Sequence, residues 1–370
     1  MSGSSASVPA ARFASPVSLL SLVTVTPDYH VPQAVARERA RTIFGGRMPF
    51  FDQLQQVFDN AAIDTRHSCL PVDWFMGEAD FGEKSRLYVE NATALARDGA
   101  RKALNAAGLE AEDIDAIVFV SSTGIATPSI EARIMNLMPF RRDVVRLPVF
   151  GLGCAGGVLG LSRAAQMARA MPGANILLIV VEFSSLAFRH DRLTKSNLVA
   201  CALFGDGGAA AVLRSGEDGA VTIGAGGEHC WPDTLGVMGW DVDGGGLDVI
   251  FKQSIPEIVG RDYPGALDAF LAGASLSRGD VDRPCCHPGG AKVVDALEDV
   301  FGYARGGLDA ERKVLRENGN MSAPTVLFVL EELLARGEGG ALLLSSLGPG
   351  FTAAFQLVHV APAGIEASRA

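Results

Sequence analysis

The chain has 370 residues, 48% of them hydrophobic and 20% charged, which is ample apolar material for a large core and rules out a disordered chain. A formal net charge of −10 without a basic stripe argues against a nucleic-acid partner, whose phosphates need neutralising. Six irregularly spaced cysteines, two of them the adjacent Cys285 and Cys286, are too few for a disulfide scaffold and read as free thiols of a reducing compartment.

The Ser/Ala-rich start carries only Arg12 as a basic residue and lacks the long apolar stretch of a secretory signal, so residues 1–15 read as a frayed N-terminus. No run approaches the ~20 apolar residues of a membrane span. A cytoplasmic protein without membrane insertion is therefore expected. Apolar runs predict strands at 17–25, 116–121, 145–149, 176–181 and 209–213. Amphipathic stretches predict helices at 34–44, 50–61, 85–107, 132–138 and 154–170. Short apolar strands spaced by helices indicate α/β layers with strands buried on both faces. The Gly-rich stretch 216–227 holds Val221 and Ile223, a strand that opens a second half. That half continues with helices at 250–259 and 266–271, a short strand near 282–286, helices at 292–300 and 323–335, and strands at 341–345 and 353–359. It looks like a variation on the first half without any residue-level repeat. Gly244-Gly245-Gly246 and Gly306-Gly307 read as turns. None of the glycine clusters is followed by Lys and Ser/Thr, so none is a phosphate cradle of that type.

Three short segments can carry chemistry. Gly151-Leu152-Gly153-Cys154-Ala155-Gly156-Gly157 lies between a strand and a helix, so Cys154 falls near a helix N-terminus, where partial positive charge lowers a thiol pKa. Taken alone, a buried structural cysteine is the simpler reading. Pro284-Cys285-Cys286-His287-Pro288-Gly289-Gly290 puts His287 in a loop at a strand end, as a base, a donor or a satisfied turn histidine. Adjacent Cys285, Cys286 and His287 have poor metal-ligand geometry, so no metal is expected. In Gly319-Asn320-Met321-Ser322, Asn320 or Ser322 can cap the following helix, and the Asn320 amide can also donate to an oxyanion.

Together, in that order, these segments resemble the type III polyketide synthases of the chalcone and stilbene synthase superfamily. Two further segments fit the resemblance: Ala202-Leu203-Phe204-Gly205-Asp206-Gly207, with a gatekeeper Phe204, and Leu347-Gly348-Pro349-Gly350-Phe351, a Gly-Pro-Gly loop. The resemblance implies a five-layered α-β-α-β-α thiolase fold of two pseudo-dyad-related halves, 16–225 and 226–370, acting as a homodimer. It implies Cys154 as nucleophile, ion-paired with His287, and His287 with Asn320 as donors to the enolate formed when malonyl-coenzyme A loses CO2. Acyl-coenzyme A and malonyl-coenzyme A are then substrates, with no metal or organic cofactor. Phe204 is expected between the coenzyme A tunnel and the active-site cavity.

Further positions match cavity residues of the family. Ser184 and Ala187 stand where plant members commonly carry Thr, and Val249 where they carry a second gatekeeper Phe, so volume is removed. Trp240 stands where they have Gly and adds volume back. Met238-Gly239-Trp240-Asp241 resembles bacterial members that make alkylresorcinols and alkylpyrones from fatty acyl starters. Ser122, Glu182 and Ser322 match positions that hold a thioester-cleaving water in resorcinol-forming relatives, and Thr127 belongs to a segment that reaches into a neighbouring subunit. One departure stands out: the stretch 53–60, where plant members carry the cations that bind coenzyme A, has no positive charge. Arg41, Arg47 or Arg66 could substitute, or a carrier protein could deliver the acyl group. A non-catalytic thiolase-fold partner and a carrier-dependent ketoacyl synthase are the competing readings. Intact Cys154, His287 and Asn320 contexts weigh against the first.

Overall fold

Strands that are apolar on both faces need helices on both sides, and the chain supplies them in two rounds. The computed structural model describes residues 16–216, 219–252 and 254–361, so the terminus read as frayed over 1–15 lies outside the described residues. The first round runs β1 (Val17–Val25), β2 (Tyr29–Pro32), α1 (Gln33–Phe44), α2 (Phe51–Leu54), α3 (Val57–Asn60), β3 (Thr65–Ser68) and α4 (Phe81–Ala107). It continues through β4 (Ala116–Val120), α5 (Ile130–Ile134), β5 (Val145–Val149), α6 (Gly156–Ala170), β6 (Asn175–Phe183), α7 (Lys195–Leu203) and β7 (Asp206–Ser215). The second opens with β8 (Val221–Cys230), the hairpin β9 (Met238–Asp243) and β10 (Gly246–Phe251), and α8 (Ile255–Gly273). Then come β11 (Arg283–Cys286), α9 (Ala291–Phe301), α10 (Asp309–Asn318), α11 (Thr325–Ala335), β12 (Gly340–Gly348) and β13 (Thr352–Val360).

Nine strands line up as β11-β12-β13-β8-β1-β7-β6-β4-β5, with β1 and β8 meeting at Ser18 opposite Thr222. From β1 outward the pairing is antiparallel to β7, antiparallel to β6, then parallel to β4 and β5. From β8 outward it is antiparallel to β13, antiparallel to β12, then parallel to β11. The halves repeat one pairing order, so the duplication that no residue repeat revealed is plain in the topology. Helices α6 and α11 share a core with the inner faces of both halves, through Val158, Leu161, Val326 and Leu330 against Val120, Leu178, Leu342 and Leu344. The outer faces are covered by α4 and α5 in one half and by α8 and α9 in the other. The result is the five-layered α-β-α-β-α thiolase fold, with α6 and α11 as its middle layer.

Three stretches depart from the sequence reading. The stretch read as one helix over 50–61 is two single turns, α2 and α3. Helices read at 250–259 and 266–271 are one helix, α8, which runs through Pro264 because Tyr263 and Leu267 anchor it in the core. Ile250 and Phe251 belong to β10, not to a helix. Among the described residues no helix is long and apolar enough to cross a membrane.

Candidate active site

The middle layer brings two helix starts together. An added Cβ on Gly157, in the first turn of α6, would lie 2.2 Å from the Ala323 carbonyl, so only glycine lets the two backbones approach this closely. A tight turn over Gly153–Ala155 precedes α6 and carries Cys154, 9% exposed. The Cys154 thiol donates to Ser322 Oγ at 3.5 Å. Ser322 itself sits at φ +63, a left-handed conformation that a serine adopts only under local constraint. Its N–H donates to Asn320 Oδ1 at 2.8 Å, and Asn320 Nδ2 donates to the Gly289 carbonyl at 3.1 Å. That loop follows β11 and carries His287, which is 5% exposed. Cys154, His287 and Asn320, from three separate elements, thus line one chamber, walled by Met238, Phe251 and Ile255. Among the described residues no three His, Cys, Asp or Glu side chains converge on a metal-sized site.

Burial dominates the electrostatics. It pushes the Cys154 thiol up to about 11, with the Ser322 hydrogen bond opposing and the Glu182 charge adding to the rise. It pushes the His287 imidazole down to about 4. Burial therefore opposes the charge that the helix N-terminus favours on sulfur.

A second space joins Cys154 to Phe204, Trp240, Val249, Ser184, Ser322 and Pro349. Beyond it lies an apolar pocket that shares Phe204, Trp240, Val249 and Ser184 and extends along Ala36, Ile43, Phe75, Ala187, Phe188 and Ala200. Phe204 and Trp240 rings lie 6.3 Å apart at this junction. Trp240 pairs across the hairpin with Val249, so the bulk gained at one position stands beside the bulk lost at the other. The Ser184 hydroxyl, at the junction, is buried without a hydrogen-bond partner.

A third space, a groove of about 1040 Å³ lined by Gln53, Gln56, Asn60, Lys195, Lys252 and Lys292, shares Phe251, Ile255, Gly289 and Val293 with the His287 chamber. Phe204 stands between Cys154 and the apolar pocket. The aromatic that borders groove and chamber is Phe251, which the sequence reading had placed in a helix; in β10 it falls two residues after Val249, on the same face. The stretch 53–60, which has no positive charge, does line the groove, together with the three lysines Lys195, Lys252 and Lys292. Arg66 is not available to a ligand, because its guanidinium is buried and donates to the carbonyls of Cys201, Ala202 and Phe204. Arg41 and Arg47 line neither groove nor chamber.

Ser122, Glu182 and Ser322 surround the nucleophile in different ways. Ser122 Oγ accepts from the N–H groups of Gly151 and Gly153 at 3.2 and 3.0 Å, fixing the Cys154 turn. Glu182 Oε2 accepts from Ser122 N, Thr123 Oγ1 and Ser121 Oγ at 2.9, 2.7 and 3.3 Å, and burial raises this carboxyl to about 7. Ser322 alone of the three lines a cavity. In the C-terminal loop, Pro349 lines the second space, while Gly348 and Gly350 shape the turn against Leu152, Ala155 and Thr234. Thr127 is exposed and lines none of the cavities described.

Residues 5–217 match the N-terminal domain of chalcone and stilbene synthases, and residues 227–361 match their C-terminal domain. The chain is 38% identical over 351 residues to a putative chalcone synthase of Bacillus subtilis, covering 90% of this chain and 96% of the relative. It is 40% identical over 320 residues to a 1,3,6,8-tetrahydroxynaphthalene synthase of Streptomyces peucetius subsp. caesius, covering 83% of each. The crystal structure of the tetrahydroxynaphthalene synthase of Streptomyces coelicolor, a bacterial type III polyketide synthase, superposes with a TM-score of 0.87 at 29% identity, over 92% of this chain and 99% of that one.

Proposed function

The chain belongs to the chalcone and stilbene synthases and is a type III polyketide synthase, an acyltransferase that condenses thioesters with loss of CO2; from that premise we propose that it loads a fatty acyl starter on Cys154 and extends it with malonyl-coenzyme A. The observation that carries the starter class is the apolar pocket behind Phe204 and Trp240, which shares Phe204, Trp240, Val249 and Ser184 with the space beside Cys154. Malonyl groups alone leave such a wall unsatisfied, whereas an alkyl chain gains about 0.8 kcal/mol for each methylene it buries there.

The steps follow from the site. As the sulfur attacks the starter carbonyl, the Cys154 proton passes to His287, so the chamber never holds an unpaired charge. Coenzyme A leaves through the lysine-lined groove, where Lys195, Lys252 and Lys292 hold its phosphates in place of the cations missing from 53–60. A malonyl thioester then enters by the same route. His287 and the free N–H of the Asn320 amide donate to its thioester oxygen, and loss of CO2 leaves an enolate they stabilise. The enolate carbon attacks the Cys154-bound acyl carbon, the sulfur departs, and the chain is two carbons longer. Neither a metal nor an organic cofactor is needed, since decarboxylation supplies the driving force. Ser322, which lines the cavity beside the sulfur, provides a hydroxyl able to hold a water against the thioester, with Ser122 and Glu182 behind the Cys154 turn, which favours aldol closure to an alkylresorcinol over lactonisation to an alkylpyrone. A homodimer completes the reading, with the exposed Thr127 segment turned toward the second subunit.

Identity to tetrahydroxynaphthalene synthases favours a second reading, in which malonyl-coenzyme A serves as both starter and extender. Mass spectrometry of products from purified protein separates the two. Alkylated resorcinols or pyrones from long acyl-coenzyme A plus malonyl-coenzyme A support the fatty acyl reading. A naphthalene product formed equally well with and without the long starter would replace it.

A further inference from the structure

If His287 moves the Cys154 proton, something must orient its ring, and the strand ladder supplies a partner. In β11 and β12, which run parallel, Cys286 lies opposite Ser345, and the His287 N–H donates to the Ser345 carbonyl at 2.8 Å. The ladder therefore runs one residue further and sets His287 beside Ser346, on backbones about 4.8 Å apart. Side chains alternate between faces: Cys285, Leu342 and Leu344 belong to the inner core, Cys286, Leu343 and Leu347 to the outer one. Counting on, His287 and Ser346 both point inward, to the side where Cys154 lies. Both are buried and both line the same chamber. Ser346 Oγ and both ring nitrogens of His287 have no hydrogen-bond partner among the described residues.

The ring's orientation sorts its two edges. A Cβ built on Gly289 would lie 3.7 Å from His287 Cδ2 and Nε2, and the Gly289 carbonyl is the one that accepts from Asn320. The Nε2 edge therefore turns toward the loop that Asn320 holds, leaving Nδ1 for β12.

We propose that Ser346 is a positioning residue for the condensation: its hydroxyl, after one rotation about Cα–Cβ, accepts from His287 Nδ1–H and leaves Nε2 bare to receive the Cys154 proton. In that transfer the S–H bond breaks, the Nε2–H bond forms, and the electron pair stays on sulfur to make the new C–S bond. The ring becomes a cation, and its Nδ1–H hydrogen bond strengthens at the moment it is needed. The other titratable groups around the ring are Cys154 on the α6 turn and Tyr263 of α8, which lines the same chamber, while Cys286 faces outward.

The inference rests on the assignment of His287 as the proton carrier, so His287→Ala is measured beside Ser346→Ala and Ser346→Thr in the full-length enzyme with ¹⁵N-labelled histidine. The expected result is an Nδ1–H tautomer for His287 that Ser346→Ala shifts toward Nε2–H, with kcat lowered about tenfold, KM little changed, and Ser346→Thr close to the parent. A Ser346→Ala enzyme with unchanged tautomer overturns the proposal, whether its kcat is kept or falls, because a fall without a tautomer change is only lost packing. If His287→Ala keeps full condensation activity, the site assignment itself fails; if it is inactive while Ser346→Ala behaves as the parent, the positioning role alone fails.

Discussion

Chain-length preference is the property the apolar pocket should set most sharply. Each methylene buried there is worth about 0.8 kcal/mol, and tenfold in rate is about 1.4 kcal/mol, so kcat/KM should rise roughly fourfold per added methylene until the pocket is full. Ala200 lies on the pocket wall, on α7 and away from Cys154, which makes Ala200→Phe a plug. At core packing density a phenyl ring removes room for about four methylenes, which makes the expected loss for the longest starters roughly two-hundredfold. Butyryl-coenzyme A should be used as well as before. The assay is competition among acyl-coenzyme A starters of increasing length with limiting malonyl-coenzyme A, read by product mass. A flat profile in the parent enzyme, or an equal loss for short and long starters in Ala200→Phe, would refute the reasoning.

Replacing Lys195, Lys252 and Lys292 together by Ala should raise KM for malonyl-coenzyme A by about tenfold, leave kcat nearly unchanged and flatten the dependence on salt in steady-state assays. Gly157→Ala drives a Cβ against the Ala323 carbonyl, so thermal unfolding should show a loss of about 1–3 kcal/mol, and misalignment of Cys154 should cut condensation by about a hundredfold. Burial lowers His287 from 6.5 to about 4, so the unfolded chain binds the proton first on acidification. Stability is then full above pH 6.5 and falls as pH drops through 4, with about 3 kcal/mol of that loss absent in His287→Asn by denaturant titration at each pH.

Strands and helices of the core were legible because apolar runs and amphipathic stretches alternate cleanly: 17–25 and 145–149 match β1 and β5 to the residue. The duplication was not, since it resides in the order of strand pairing, which no local pattern encodes. The hairpin β9–β10 was lost because Trp240, Val249 and Phe251 pack against a cavity rather than a continuous core, leaving a weak alternation. For the same reason Phe251 went unnoticed as a wall of the chamber. Helix α10 hides behind its charges, with only Ala310, Glu311, Val314 and Leu315 buried. At the site, Cys154, His287 and Asn320 announced themselves through their glycine-rich contexts. Their ionisation did not, because burial on all sides is a property of the assembled layers. The lysines of the groove come from α7, the end of β10 and the start of α9, too far apart in sequence to form a visible cluster.

Intact-protein mass spectrometry after mixing the enzyme with a long-chain acyl-coenzyme A, in the absence of malonyl-coenzyme A, examines the nucleophile itself. One acyl adduct, mapped to the peptide of Cys154 and missing from Cys154→Ala, is the predicted result. An adduct on another residue, or polyketide formed by Cys154→Ala at the parent rate, would contradict it.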